Sequence, residues 1–346
     1  YLCGIINCIN CTWKELTRVF PSMASLAKLP VIDMSAPDRS TAAKSIREAC
    51  VDYGFFYAVG HGLEQSLIDK VLDQSKKFFS LPLHSKLNYL RTHHRGYTAL
   101  FDENFNQSAS SSGDPKESFY IGPLSADHLN QWPSPGKHYN SIISPFNFRF
   151  PKPELLPEWM NTMKTYYDSI LSTGKNLISL IALALDLDET HFERIGALNV
   201  PQGYLRLLHY PVKVENHSTN ELGCFSHSDY GMITLLTSDG VPGLQVCRDK
   251  EQNPRLWEDV AHLQGALIVN IGDLMERWTN CLFRSTLHRV VRVGEERFSV
   301  AFFLEPDPDC VVEAFESCCD AARPKRYPPI LSGDYLQQRL ASTYKS

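Results

Sequence analysis

Apolar residues follow two different spacings along this chain, helical in the first part and strand-like in the second. Thr41 to Tyr53 places Ala42, Ile46, Ala49, Cys50 and Tyr53 on one stripe, which is the i, i+3/i+4 recurrence of an amphipathic helix. Leu63 to Ser80 does the same with Leu67, Val71, Leu72, Phe78 and Phe79. Glu154 to Leu187 is a longer helical region, with Leu155, Trp159, Met163, Tyr166, Ile170, Leu177, Ile181 and Leu185 at that spacing. Two short apolar runs, Leu29 to Met34 and Gly54 to Gly60, read as buried strands beside the first helices.

After Gly203 the spacing shortens. Tyr204 to Tyr210, Ile233 to Thr237, Leu244 to Cys247, Ala266 to Asn270, Ser285 to Val293 and Arg297 to Leu304 are β-branched or apolar runs separated by turn signals such as Asp239-Gly240. Many short strands with glycine-marked turns predict a double-sheet jelly roll, and the fold class is α+β with flanking and amino-terminal helices. The organisation expected is a poorly ordered extension over 1–28, an amino-terminal region over 29–150, helical support over 151–200, a jelly-roll core over 201–310 and a carboxy-terminal segment over 311–346 packing near the pocket. Tyr1 to Ser22 lacks the basic start, apolar centre and small-residue end of a secretory signal.

Composition narrows the function classes. The 346 residues are 43% hydrophobic and 21% charged, enough for a large core, and the formal net charge is -5. A weakly acidic chain without a Lys/Arg-rich block argues against nucleic acid as partner, and no run of apolar residues is long enough for a membrane span. The expected setting is therefore a cytoplasmic monomer acting on a small molecule. The ten cysteines are scattered, several within apolar segments, and read as buried free thiols. Cys8-x-x-Cys11 has no second pair to complete a zinc site. Gly174-Lys175 is not a phosphate loop, because Ser169 stands where the first glycine is needed and Asn176 where Ser or Thr should follow.

The candidate chemistry lies in the β-rich half. His227-Ser-Asp229 is the one His-x-Asp in the chain, and on a strand residues two apart share a face. An imidazole and a carboxylate side by side, joined by His288 from another strand, would make a three-ligand face with open positions opposite, the arrangement of a non-haem Fe(II) oxygenase. Across the next hairpin, Arg297-Phe-Ser299 repeats the spacing and would set a guanidinium beside a hydroxyl, a pair suited to a carboxylate. His61, between Gly60 and Gly62, reads as a turn histidine bonded to nearby backbone. The polar stretch from Asn104 to Pro115 reads as a mobile loop or a lid, and Trp132 to Pro153 as an irregular connector.

Five ordered segments carry a family resemblance: Phe225 to Gly231 (Phe-Ser-His-Ser-Asp-Tyr-Gly), Pro242-Gly-Leu-Gln245, Asn270-Ile-Gly-Asp273, Leu287-His-Arg-Val290 and Arg297-Phe-Ser299. Together they resemble the core of the 2-oxoglutarate and Fe(II)-dependent dioxygenases of the isopenicillin N synthase-like superfamily. Pro30 to Asp33 and Gly54 to Gly62 resemble that family's opening segment, and the likeness runs from about Leu29 to Tyr335. The resemblance implies His227, Asp229 and His288 as iron ligands, and Arg297 with Ser299 as the holder of the distal carboxylate of 2-oxoglutarate. Tyr210 would add a hydrogen bond to the same co-substrate, although Leu208 replaces the Asn of the family's Asn-x-Tyr element. Asn270 is expected to serve the turn first and to line the pocket second.

The activity implied is oxidation, most often hydroxylation, of a small metabolite or hormone of plant or microbial type, with O2 consumed, succinate and CO2 released and ascorbate as a possible reductant. Tyr97, Phe101, Phe119 and Phe302, with the segment from Asp334 to Tyr344, are the candidates for its substrate pocket. Two alternatives stay open at this point. One is an iron oxidase of the same superfamily that does not use 2-oxoglutarate, and the other is a metal-binding sensor without turnover.

Overall fold

A computed structural model describes residues 26–91, 95–103, 113–123, 151–212 and 222–343. The expected extension through residue 25, the segments 104–112 and 132–150, and Cys8 with Cys11 lie outside the described residues. The chain is already part of the fold by residue 26, earlier than the expected boundary at 28. Ala27 is buried and its N–H donates to Asp259 O at 2.8 Å.

The amino-terminal part runs β1 (Val31–Asp33), α1 (Arg39–Asp52), β2 (Phe55–Val59), α2 (Gln65–Phe79), α3 (Leu83–Leu87), β3 (Gly96–Thr98) and β4 (Glu117–Ile121). Helix α1 starts where Asp38 accepts from Ser40 N at 3.0 Å, filling one of the open N–H positions of the first turn. Its stripe of Ala42, Ile46, Ala49 and Cys50 is buried, as the spacing predicts. Helix α4 (Trp159–Ala184) is followed by the short α5 (His191–Arg194). Residues 154–158 precede α4, held short of helical spacing by Pro157.

The β-rich part runs β5 (Gln202–Tyr210), β6 (Leu222–His227), β7 (Ile233–Ser238), β8 (Leu244–Cys247), β9 (Trp257–Asp259), β10 (Leu267–Ile271), α6 (Asp273–Trp278), β11 (His288–Val291) and β12 (Arg297–Glu305). A small ribbon of β13 (Val311–Val312) and β14 (Ile330–Leu331) leads to the carboxy-terminal helix α7 (Ser332–Thr343). The eight-stranded sheet has the order β1-β2-β10-β7-β12-β5-β4-β3, and it faces a four-stranded sheet ordered β6-β11-β8-β9. This is the expected α+β jelly roll with helices on its outside.

Two cores result, one on each face of the larger sheet. Helices α1, α2 and α4 cover its outer face, where Phe298, Val300, Phe302 and Leu304 of β12 meet Tyr167, Leu177 and Ile181. Gly174 sits where α4 crosses β12, and a Cβ there would stand 3.0 Å from Leu304 Cδ2, so the glycine permits the close approach. The inner face packs against the smaller sheet through Phe55, Leu208, Tyr210, Cys224, Val290 and Ala301. Both faces of β12 are buried, and its polar residues Arg297, Ser299 and Glu305 all point to the inner side while Phe298, Val300, Phe302 and Leu304 point to the outer core.

Candidate active site

The antiparallel pairing of β6 with β11 puts His227 directly opposite His288, with ring centroids 4.3 Å apart. Asp229 lies just past the end of β6. The strand geometry expected for His-x-Asp therefore stops at His227, and the carboxylate is placed by other contacts. Asp273 N donates to Asp229 O at 2.8 Å, Thr234 Oγ1 donates to Asp229 Oδ2 at 2.6 Å, and Asn270 Nδ2 donates to the same oxygen at 2.8 Å. With Oδ2 occupied, Oδ1 faces the imidazoles, 3.8 Å from His227 Nε2 and 3.7 Å from His288 Nε2.

Each imidazole is oriented by its own backbone neighbour. His227 Nδ1 lies 2.8 Å from Phe225 O and His288 Nδ1 3.2 Å from Thr286 O, contacts that call for a proton on Nδ1 and leave the Nε2 lone pair toward Asp229. Phe55 packs edge-on against the His288 ring at 5.5 Å. Burial, and then the charge of His288, lowers the pKa of His227. Burial alone would raise the pKa of Asp229, but the two imidazoles and the bonds from Thr234 and Asn270 hold it below the usual range. A lowered imidazole pKa at His227 and a lowered carboxyl pKa at Asp229 both favour the forms that a divalent cation binds.

Donor atoms of His227, Asp229 and His288 all lie within 4.8 Å of one another, and no other such trio occurs among the described residues. Two nitrogens and one anionic oxygen on a single side fit Fe(II), with open positions for co-substrate and O2.

A cavity of about 550 Å³ opens from this trio into the space between the sheets. Tyr210 and Leu208 on β5 and Arg297 and Ser299 on β12 line it, in the paired register Arg297–Tyr210 and Ser299–Leu208. Arg297 is buried and donates from Nη1 to Ser299 Oγ at 3.1 Å and from Nε to Val241 O at 3.2 Å. Its guanidinium lies 5.2 Å from the centre of the Tyr210 ring. Burial raises the Tyr210 hydroxyl to about 12, so it stays protonated and can donate to a carboxylate. Leu208, in the place of the family's Asn, puts an apolar surface on this cavity. Lys116 supplies polar character to the wall instead, held by ion pairs with Asp114 and, at 2.9 Å, Glu103.

A second cavity of about 620 Å³ shares His227, Asp229, Arg206 and Phe303 with the first. Tyr120, Tyr204, Tyr230 and Glu305 line it, and Leu336 and Leu340 of α7 reach into it. The expected carboxy-terminal segment thus reaches the cavity, while the four expected aromatics are elsewhere. Tyr97 is buried in the outer core with its hydroxyl bonded to Glu117, and Phe119 packs there against Trp159. Phe302 is in the same core against Tyr167, while its neighbour Phe303 turns to the cavities. Phe101, at φ 67°, sits in a turn where its N–H donates to Asp114 O, and it lines neither cavity.

His61 makes the backbone contacts expected of it, to Gly265 O and from Leu63 N, both at 3.2 Å. Lys116, Arg206 and Glu305 enter the cavities without having been singled out from the sequence. Arg206 had a usable signal, since it stands four residues before Tyr210 and so shares its face of β5.

Known proteins agree with this geometry. Residues 29–135 match the family model for the amino-terminal region of the non-haem dioxygenase in morphine synthesis, and residues 201–306 match the 2OG-Fe(II) oxygenase superfamily. Kihadalactone A synthase LFS of Citrus sinensis is 36% identical over 90% of this chain and 91% of its own length. The 2-oxoglutarate-Fe(II) type oxidoreductase hxnY of Emericella nidulans is 33% identical over 91% and 90%. The crystal structure of a full-length Neurospora crassa protein in complex with alpha-KG and thymine superposes with a TM-score of 0.75 at 30% identity, covering 92% of this chain and 98% of that one. Fold, ligand trio and relatives converge on an enzyme that uses Fe(II), 2-oxoglutarate and O2 to oxidise a small organic molecule, and the chain belongs to the 2OG-Fe(II) oxygenase superfamily.

Proposed function

We propose that His227 Nε2, His288 Nε2 and Asp229 Oδ1 hold the iron, that Arg297, Ser299 and Tyr210 receive the distal carboxylate of 2-oxoglutarate, and that the substrate enters the cavity walled by Tyr204, Phe303, Glu305 and α7. The observation that carries this reading is the cavity-facing stripe of β12. Arg297, Ser299, Ala301 and Phe303 line the first cavity, Phe303 and Glu305 the second, and His227 and Asp229 line both. One rigid strand thus spaces an anion clamp, a metal site and a substrate chamber in series.

When bound, Fe(II) with O2 supplies the oxidising power, and 2-oxoglutarate leaves as succinate and CO2. The protein's own groups orient and exclude. Arg297 offers a charge-assisted bond while Ser299 and Tyr210 offer hydroxyls, so the co-substrate is fixed at the end distant from the metal. Asn270 and Thr234 keep Asp229 from turning its second oxygen inward. Leu336 and Leu340 place apolar surface over the chamber and limit water there.

The reaction in this reading is hydroxylation of a specialised metabolite or hormone by a cytoplasmic monomer. The name of the Citrus sinensis relative supports a specialised metabolite, and the Emericella nidulans and Neurospora crassa relatives extend the range beyond plants. All cysteines among the described residues are free thiols, which supports a reducing compartment. No helix among the described residues is long and apolar enough to cross a membrane.

The test is succinate release from 2-oxoglutarate by the purified protein with Fe(II), measured across a library of small acids, hormones and phenolics. Succinate formation that a subset of compounds stimulates is the expected result. Iron-dependent oxidation without succinate would refute the 2-oxoglutarate assignment for this chain.

A further inference from the structure

The substrate chamber contains one acidic side chain that the co-substrate and metal do not need. Glu305 ends β12, is buried, and lines the cavity that also holds His227 and Asp229. Its Oε2 has no hydrogen-bond partner among the described residues. The carboxyl group lies against Gly231 of the loop after Asp229, where a Cβ would stand 2.5 Å from it, so a glycine is what leaves it room there. A buried carboxyl oxygen left without a hydrogen-bond partner calls for an explanation.

We propose that Glu305 is the polar anchor for the substrate, and that the substrate is a small ring-bearing molecule presenting an N–H or O–H group to this carboxyl. The inference rests on the functional reading above and names the substrate chemistry of the same chamber. Tyr120, Tyr204, Tyr230, Phe303, Leu336 and Leu340 favour a flat or hydrocarbon frame. Arg206, a basic group in the same wall, is already bonded to Glu103 and, at 3.1 Å, to Ser118.

A polar anchor of this kind discriminates strongly, because a ligand lacking the donor leaves the buried acceptor unpaired. It also sets which carbon faces the ligand trio, since the frame pivots about one fixed bond.

Calorimetry on the anaerobic protein loaded with Fe(II) and 2-oxoglutarate provides the test, with 2-quinolone and 2-naphthol as probes against their capped partners N-methyl-2-quinolone and 2-methoxynaphthalene. The donor-bearing member of at least one pair should bind the wild type about tenfold more tightly than its capped partner. Glu305→Leu should erase that preference, and Glu305→Met repeats the comparison with an unbranched side chain should the leucine variant not fold. Glu305→Gln, which keeps an acceptor oxygen, should retain most of it. Equal binding of both members of each pair by the wild type, or an undiminished preference in the apolar variants, overturns the proposal. Failure of the wild type to bind 2-oxoglutarate with Fe(II) would appear separately and would refute the underlying function as well.

Discussion

Asn270 donates to Asp229 Oδ2 across 2.8 Å, from the strand next to the one that carries Thr234, and this bond decides which carboxylate oxygen faces the imidazoles. The residue belongs to a turn motif, yet its side chain holds the carboxylate we propose as a metal ligand. Groups that orient a ligand contribute to metal affinity without touching the metal.

Asn270→Ala is therefore expected to weaken Fe(II) binding by roughly 10- to 100-fold while leaving the fold intact. An anaerobic Fe(II) titration followed by calorimetry measures it. An unchanged affinity would mean that Thr234 alone fixes Asp229.

Removal of a ligand acts more severely. His227→Ala or Asp229→Ala should abolish both Fe(II) binding and succinate formation, because two donors remain where three are needed. Retention of stoichiometric Fe(II) binding by either variant would place the metal elsewhere.

The anion clamp can be probed with the charge kept. Arg297→Lys preserves the charge but loses the planar fork and the bond to Ser299. The KM for 2-oxoglutarate should rise by about tenfold or more, with a smaller change in kcat. A KM equal to that of the wild type would refute the clamp.

Phe302 and Phe303 are neighbours with opposite duties. Phe302→Ala empties a site in the outer core and should cost about 3–5 kcal/mol of stability. Phe303→Ala opens the shared wall of the two cavities, so it should change substrate preference while costing about 1–2 kcal/mol. Denaturant melts and a compound screen on the same pair of variants separate the two effects.

Glu305 makes metal-free stability depend on pH. Burial, aided by Asp229 and Asp273, raises its carboxyl from the ordinary 4.5 to about 8. Between those values the folded chain keeps a proton that the unfolded chain has released, so this group's contribution falls as pH rises, by up to about 1.4 kcal/mol per pH unit. Below 4.5 the penalty is absent, and above 8 it is constant. Glu305→Gln carries no such charge. The stability of that variant relative to the metal-free wild type should grow from about pH 5 to about pH 8, and parallel curves would show that the carboxyl ionises in the folded state as it does in water.

Local pattern was sufficient for much of this protein. The stripe of Ala42, Ile46, Ala49 and Cys50 specifies α1 because helical period and burial coincide there. Arg297 and Ser299 share a face because the period of a strand is two, and that relation holds wherever the strand is placed. The side chains proposed as ligands, two imidazoles and a carboxylate, were likewise readable as candidate chemistry before any fold was known.

Which face of a strand meets the cavity was a different matter. Strand β12 is buried on both sides, so burial does not separate Phe302 from Phe303, although Arg297, Ser299 and Glu305 share the parity of Phe303 and mark the cavity side that the expectation of Phe302 missed. The packing of α1, α2 and α4 on one side of the sheet settles that parity, and Glu305 and Arg206 enter the chamber through it. Asp229 shows the same limit. Its identity is local, but its orientation comes from Thr234, Asn270 and the backbone of Asp273, residues that only the closed pair of sheets brings together.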